Sequence, residues 1–186
     1  MRTVAVLLLL LALGARPVAA REVAGVTLPD TAAVEGKTLV LNGAGLRTRY
    51  FFKVYVIGLY LERPATDAAA ILGADSARRA ELHILRSLSG DEIAGAIRTA
   101  FEENAGAALP RLQDRLKRLE SMFPAVAAGD TIALTYVPGR GTGVVAKGKP
   151  AGVIEGKDFA DALFAVWIGD KPVDPDLKKA LLAGGR

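Results

Sequence analysis

Residues 50–61 read Tyr50-Phe51-Phe52-Lys53-Val54-Tyr55-Val56-Ile57-Gly58-Leu59-Tyr60-Leu61. Aromatic and β-branched side chains fit a pleated, packed surface. A run this long with Lys53 as its one charge predicts a long, mostly buried strand that Pro64 ends. Just upstream, Leu41-Asn42-Gly43-Ala44-Gly45 reads as a glycine-rich bend. It is not a phosphate loop, because the dinucleotide spacing and the Walker lysine are both missing. Further back, residues 23–41 read as short strands broken at Pro29-Asp30 and at Glu35-Gly36-Lys37.

Downstream the pattern turns helical and then returns to strands. Residues 67–72 predict a short helix with Thr66 as cap and Gly73 as stop, and residues 80–86 another strand. Ser89-Gly90-Asp91-Glu92 is a capping-box signature, opening a helix over 90–104. Pro110 opens the next, where a missing N–H costs nothing. Leu112, Leu116, Leu119, Met122 and Phe123 form its apolar stripe, with Arg111, Asp114, Arg115, Lys117 and Arg118 on a solvated face. Residues 130–137 and 143–146 flank Pro138-Gly139-Arg140-Gly141 as a β-hairpin, and Lys147-Gly148-Lys149-Pro150 is a second turn. Asp158 is expected to cap a helix that Gly169 stops, buried along Phe159, Leu163 and Val166. Asp174-Pro175 starts the last helix, through Leu181. Strands at both ends of a central helical block predict an α+β fold with an antiparallel sheet rather than alternating βαβ units.

The N-terminus predicts export. Met1-Arg2 is a basic start, residues 4–13 are an unbroken apolar run, and Val18-Ala19-Ala20 supplies small residues for cleavage after Ala20. That run is shorter than the roughly 20 residues of a membrane span; an uncleaved anchor is the alternative. Residues 1–20 are thus read as a signal peptide and 21–186 as one domain, with no stable membrane span once mature. The chain has no Cys, which excludes a lipoprotein and any disulfide. The periplasm is the expected address. The formal charge of +4, from 24 Lys and Arg against 20 Asp and Glu, falls to +2 when Arg2 and Arg16 leave with the signal. So near-neutral a chain gives no argument for nucleic-acid binding. Its single histidine, His83, excludes most metal sites and Ser-His-Asp chemistry and is expected on a solvated strand face. No cofactor or metal is expected. Oligomeric state is not legible.

Three stretches carry a family resemblance. One is Gly43-Ala44-Gly45-Leu46-Arg47 with the following Lys53 to Glu62; another is Ile132 to Pro138 with Lys147-Gly148-Lys149. The third is Phe159-Ala160-Asp161-Ala162-Leu163-Phe164 through Trp167-Ile168-Gly169-Asp170-Lys171-Pro172. In this order they resemble the chalcone isomerase superfamily, in its bacterial chalcone isomerase-like branch, across nearly the whole mature chain. The resemblance implies an open-faced β-sandwich, a large antiparallel sheet layered by helices, with a ligand cleft between. It implies that Arg47 matches an arginine that binds substrate oxyanions in the plant enzymes. A threonine that polarises the substrate ketone falls at Tyr55, and a Tyr, a Lys and an Asn on the following helix fall at Ile93, Ala96 and Ala100. Residues 89–101 contain no Tyr, Lys or Asn, so chalcone cyclisation does not carry over.

The superfamily also includes non-catalytic fatty-acid binders that hold a carboxylate with the arginine and a tyrosine. Arg47 and Tyr55 offer a similar pair, and Arg86 is a weaker candidate at the end of an apolar strand face. A guanidinium fork suits a carboxylate. Eight residues of straight strand span about 26 Å, so Arg47 and Tyr55 meet only if the chain folds back near Thr48-Arg49. Otherwise Arg47 serves a structural ion pair and Tyr55 is core. Three functions therefore stand open: a non-catalytic binder of a small amphiphilic molecule such as a fatty acid, an isomerase or intramolecular lyase using Arg47 and Tyr55, and a structural partner of envelope proteins. An apolar tunnel ending at Arg47 favours the first. A low-pKa Tyr in a polar cleft favours the second, and a filled cleft with an exposed apolar patch the third.

Overall fold

The computed structural model describes residues 20–185; residues 1–19, all of the expected signal segment except Ala20, lie outside them. β1 (Ala20–Val23) and β2 (Val26–Pro29) form a separate two-stranded hairpin. β3 (Thr31–Val34), β4 (Lys37–Arg49), β5 (Phe52–Leu61), β6 (Arg78–Ile84), β7 (Thr131–Val137), β8 (Gly141–Ala146) and β9 (Lys149–Ile154) make one antiparallel sheet in sequence order. The helices are α1 (Ala68–Gly73), α2 (Gly90–Ala105), α3 (Leu109–Glu120), α4 (Lys157–Ile168) and α5 (Pro175–Leu181). The expected α+β architecture with an antiparallel, helix-layered sheet is what the chain forms. Ile132 pairs with Ala146 and Leu134 with Val144, in the predicted hairpin. Among the described residues no helix is long and apolar enough to cross a membrane.

Period-2 alternation splits the sheet into two faces. Ile57, Leu59, Leu82, Ile84, Ile132, Leu134 and Val144 face the helices and build the main core with α2, α3 and α4. Leu28, Leu39, Leu41, Val56 and Tyr60 belong to a smaller core that includes the β1–β2 hairpin. α4 is buried at Phe159, Ala160 and every residue from Ala162 to Ile168. A helix apolar all round is a core element, so Phe159, Leu163 and Val166 are only part of its buried surface. Arg115, expected on a solvated face, ties α3 to the start of α4 through two 2.8 Å bonds to Asp158.

The expected glycine bend is instead a continuous strand with a β-bulge. The register runs from Leu41 opposite Tyr60 to Gly43 opposite Leu59, leaving Asn42 as the extra residue. Asn42 is fully buried. Its amide donates to Ala65 O at 2.9 Å and Leu181 O at 2.8 Å, and its carbonyl accepts from Ala65 N. The glycines allow a close approach. A Cβ on Gly43 would lie 2.2 Å from Ala180 O, and one on Gly45 2.7 Å from Leu177 Cδ1. They let α5 lie directly on β4.

Smaller differences are local. Asp67, not Thr66, caps α1 by accepting from Ala69 N at 3.0 Å. Gly156 is the cap of α4, and Asp158 sits in its first turn. His83 is half-buried rather than solvated, with Nε2 3.3 Å from Glu81 Oε1. β6 ends at Ile84, so Arg86 lies beyond the strand and is exposed. The capping box at Ser89 and Glu92 forms as read.

Candidate functional site

A cleft of about 630 Å³ opens between the helix-facing side of β5–β7 and helices α2 and α4. Its inner wall is made of Leu82, Ile84, Ile93, Ile97, Ile132 and Val166. Its outer part carries Arg47, Arg49, Arg86, Tyr50, Phe52, Glu92 and Glu103. All three residues singled out from sequence, Arg47, Tyr55 and Arg86, border it. So do Ile93, Ala96 and Ala100, the positions at which the plant enzymes' polar side chains were placed by register. The shape matches the expected cleft between sheet and helices, with apolar groups where those polar ones were sought.

Arg47 and Tyr55 are brought together by the β4–β5 hairpin. The chain reverses at Tyr50-Phe51, two residues past the point expected, and Arg47 lies opposite Tyr55 across the two strands. A second bulge follows, with Thr48 opposite Lys53, so Val54 is the extra residue on β5. The half-buried Tyr55 hydroxyl accepts a 3.0 Å bond from Trp167 Nε1. An indole N–H can only donate, so this bond leaves the phenol's own proton unused. Burial pushes the Tyr55 hydroxyl up to about 12, against the lowering effects of the Trp167 bond and of Arg47. At neutral pH Tyr55 is therefore a neutral donor, not a tyrosinate.

Arg47 has a partner that sequence reading did not supply. Its Nη1 donates to Asp174 Oδ2 at 3.2 Å and also to the carbonyl of Thr48. Asp174 does two things at once. Its Oδ1 caps α5, accepting from Asp176 N and Leu177 N at 3.0 and 3.1 Å, while its Oδ2 faces Arg47. Asp174 reaches Arg47 because Gly43 and Gly45 let α5 sit against β4. The pair is not sealed off: the two side chains keep 22% and 19% of their exposure. Among the described residues, Nε and Nη2 of Arg47 carry no hydrogen bond, which leaves one edge of the fork available.

Arg86 does not join this pair. Its guanidinium lies over the Phe52 ring, 5.1 Å from the centroid, and its charge acts on Glu92. It stands at the mouth, apart from Arg47. Two contributors escaped the sequence reading. Trp167 is the lone tryptophan of an apolar helix, and a buried indole N–H needs an acceptor. Asp174 was legible as a cap, but a capping carboxylate engages the helix with one oxygen and leaves the other free. Among the described residues no cluster of three His, Asp or Glu is placed to hold a metal.

Among curated proteins, none matches the chain. Among solved structures, the chain is similar to a fatty-acid binding protein of Arabidopsis thaliana, with 18% sequence identity and a TM-score of 0.66. The match covers 87% of this chain and 93% of that one, and at this identity it shows the shared fold. The chalcone isomerase-like family model matches residues 20–183. With the meander sheet, the helix layer and the cleft between them, this match establishes that the chain belongs to the chalcone isomerase-like family.

Proposed function

We propose that this protein is a non-catalytic binder of a small amphiphilic carboxylate such as a fatty acid, working in the periplasm after removal of residues 1–20. The observation that carries this reading is the division of the cleft. Its buried wall is aliphatic, and among the polar groups on its border stand Arg47 and Tyr55, opposite each other across β4 and β5. Ligand pockets are usually roughly 300–1,000 Å³, apolar with a few placed polar groups, and about 630 Å³ lies within that range. A tail packed against Ile84, Ile93, Ile97 and Ile132 leaves its acid group beside the free edge of Arg47, with the Tyr55 proton as a further donor. The fatty-acid binding protein of similar fold is consistent with a ligand of this class.

The isomerase reading asked for an acidic tyrosine in a polar cleft. Tyr55 is shifted the other way, to about 12, by burial. The envelope-partner reading asked for a filled cleft with an exposed apolar patch; Tyr50, Phe51 and Phe52 are exposed, but the cleft is open. Native mass spectrometry of freshly purified protein tests the proposal. A co-purifying species with the mass of a long-chain acid, lost on organic extraction, is expected. A protein that stays ligand-free after incubation with long-chain acids contradicts it.

A further inference from the structure

The β4–β5 hairpin ends in Tyr50-Phe51-Phe52, and these are the three most exposed large apolar residues described: Phe51 is 100% exposed, Tyr50 84% and Phe52 60%. Arg49 lies opposite Phe52, so only Tyr50 and Phe51 form the loop. Two-residue hairpin loops favour Gly, Asn or Asp where φ turns positive. Here Tyr50 takes φ 56°, a strained conformation for a bulky residue. Nothing in the fold repays Phe51, which packs on nothing.

The charge around the tip has one sign along the strands. Between Glu35 and Glu62 the chain has no carboxylate, and the cations nearest the tip are Arg49, Lys53 and Arg47, the last paired with Asp174. Arg49 stacks over Tyr50 at 5.8 Å, and among the described residues neither Arg49 nor Lys53 has a carboxylate partner. Exposed aromatics ringed by Arg and Lys match the boundary of an anionic bilayer: rings enter at headgroup level and cations meet the lipid phosphates. The tip also borders the cleft, since Tyr50, Phe52 and Arg49 line its mouth.

We propose that the Tyr50-Phe51-Phe52 tip docks the protein on an anionic lipid surface with the cleft mouth facing the membrane. An amphiphile then passes between bilayer and cleft without crossing open water. The docking goes beyond the binding reading above and stands or falls separately from it.

The test is co-sedimentation with vesicles of mixed phosphatidylglycerol and phosphatidylcholine, and with phosphatidylcholine alone. Wild type is compared with Phe51→Ser/Lys53→Glu, a double variant at exposed positions outside the cleft lining. Both are used as the processed chain, residues 21–186, so the apolar run 4–13 holds neither on a vesicle. The expected result is binding to the anionic vesicles that salt weakens and that the variant loses by roughly tenfold or more. Binding of a fluorescent fatty acid in vesicle-free solution, and the melting temperature, are expected to be the same in both. Equal sedimentation of the two proteins overturns the proposal. So does a wild-type dimer that the variant dissolves while neither protein binds vesicles.

Discussion

Arg47 is the residue on which the account turns, and its relation to Asp174 decides how it behaves. A ligand acid and Asp174 ask for the same charge. Asp174→Asn keeps an N-cap, since Asn caps as well as Asp, but removes the competing carboxylate. The expected outcome is tighter binding of a long-chain acid with a melting temperature close to wild type. Unchanged affinity in a calorimetric titration would show that Arg47 serves the ion pair alone. Arg47 and Tyr55 were legible as candidates through the family resemblance, and the hairpin supplies the fold-back that their meeting required. Asp174 was not, because its contact depends on how α5 lies on β4, which is a tertiary fact. Arg86 was placed on a strand face by alternation; the strand stops at Ile84 and alternation carries no information past its end.

At the scale of elements, two glycines set the site. Gly43 and Gly45 were legible as special residues but were assigned to a bend, because glycine in a strand and glycine in a turn look alike in sequence. Their role is to admit α5, and through it Asp174, to β4. Gly43→Ala puts a methyl group 2.2 Å from Ala180 O, against backbone that cannot rotate away. A loss of about 1–3 kcal/mol, the usual cost of overpacking, is expected in denaturant unfolding. A change near zero would mean that α5 is not held where it is described. The β7–β8 hairpin and the capping box of α2 were read correctly because both are local: turn residues and a cap declare themselves within a few positions. α4 was under-read, because one stripe of an all-apolar helix predicts burial but not that the other sides are covered too.

For the molecule as a whole, acid is the revealing variable. Glu81 is held down at about 2 by His83 and Arg79, against its burial, and Asp158 at about 2 by Arg115. A carboxylate with a depressed folded pKa contributes stability that is complete above its unfolded value and is lost as pH falls through the folded one. The melting temperature is therefore expected to fall between about pH 4.5 and about pH 2. Glu81→Gln should flatten part of that fall. A melting temperature constant over the window would contradict these pairings.

The fold class needed only the order of strands and helices and three family motifs, which is why it could be read from the chain. The cleft is harder to read, since an empty space leaves no residue pattern of its own. The central claim, an acid held at Arg47 and Tyr55 with its tail in the cleft, has a reporter inside it. Trp167 is the protein's single tryptophan, lines the cleft and donates to Tyr55. Titrating a long-chain fatty acid and the matching fatty alcohol while following Trp167 fluorescence is the most direct measurement. A saturable change with the acid and weaker binding of the alcohol are expected. Arg47→Met should cut the acid's affinity by roughly 10- to 150-fold, the worth of one charge-assisted hydrogen bond, and leave the alcohol's unchanged. Equal affinity for acid and alcohol in wild type, or no saturable change at all, would contradict it.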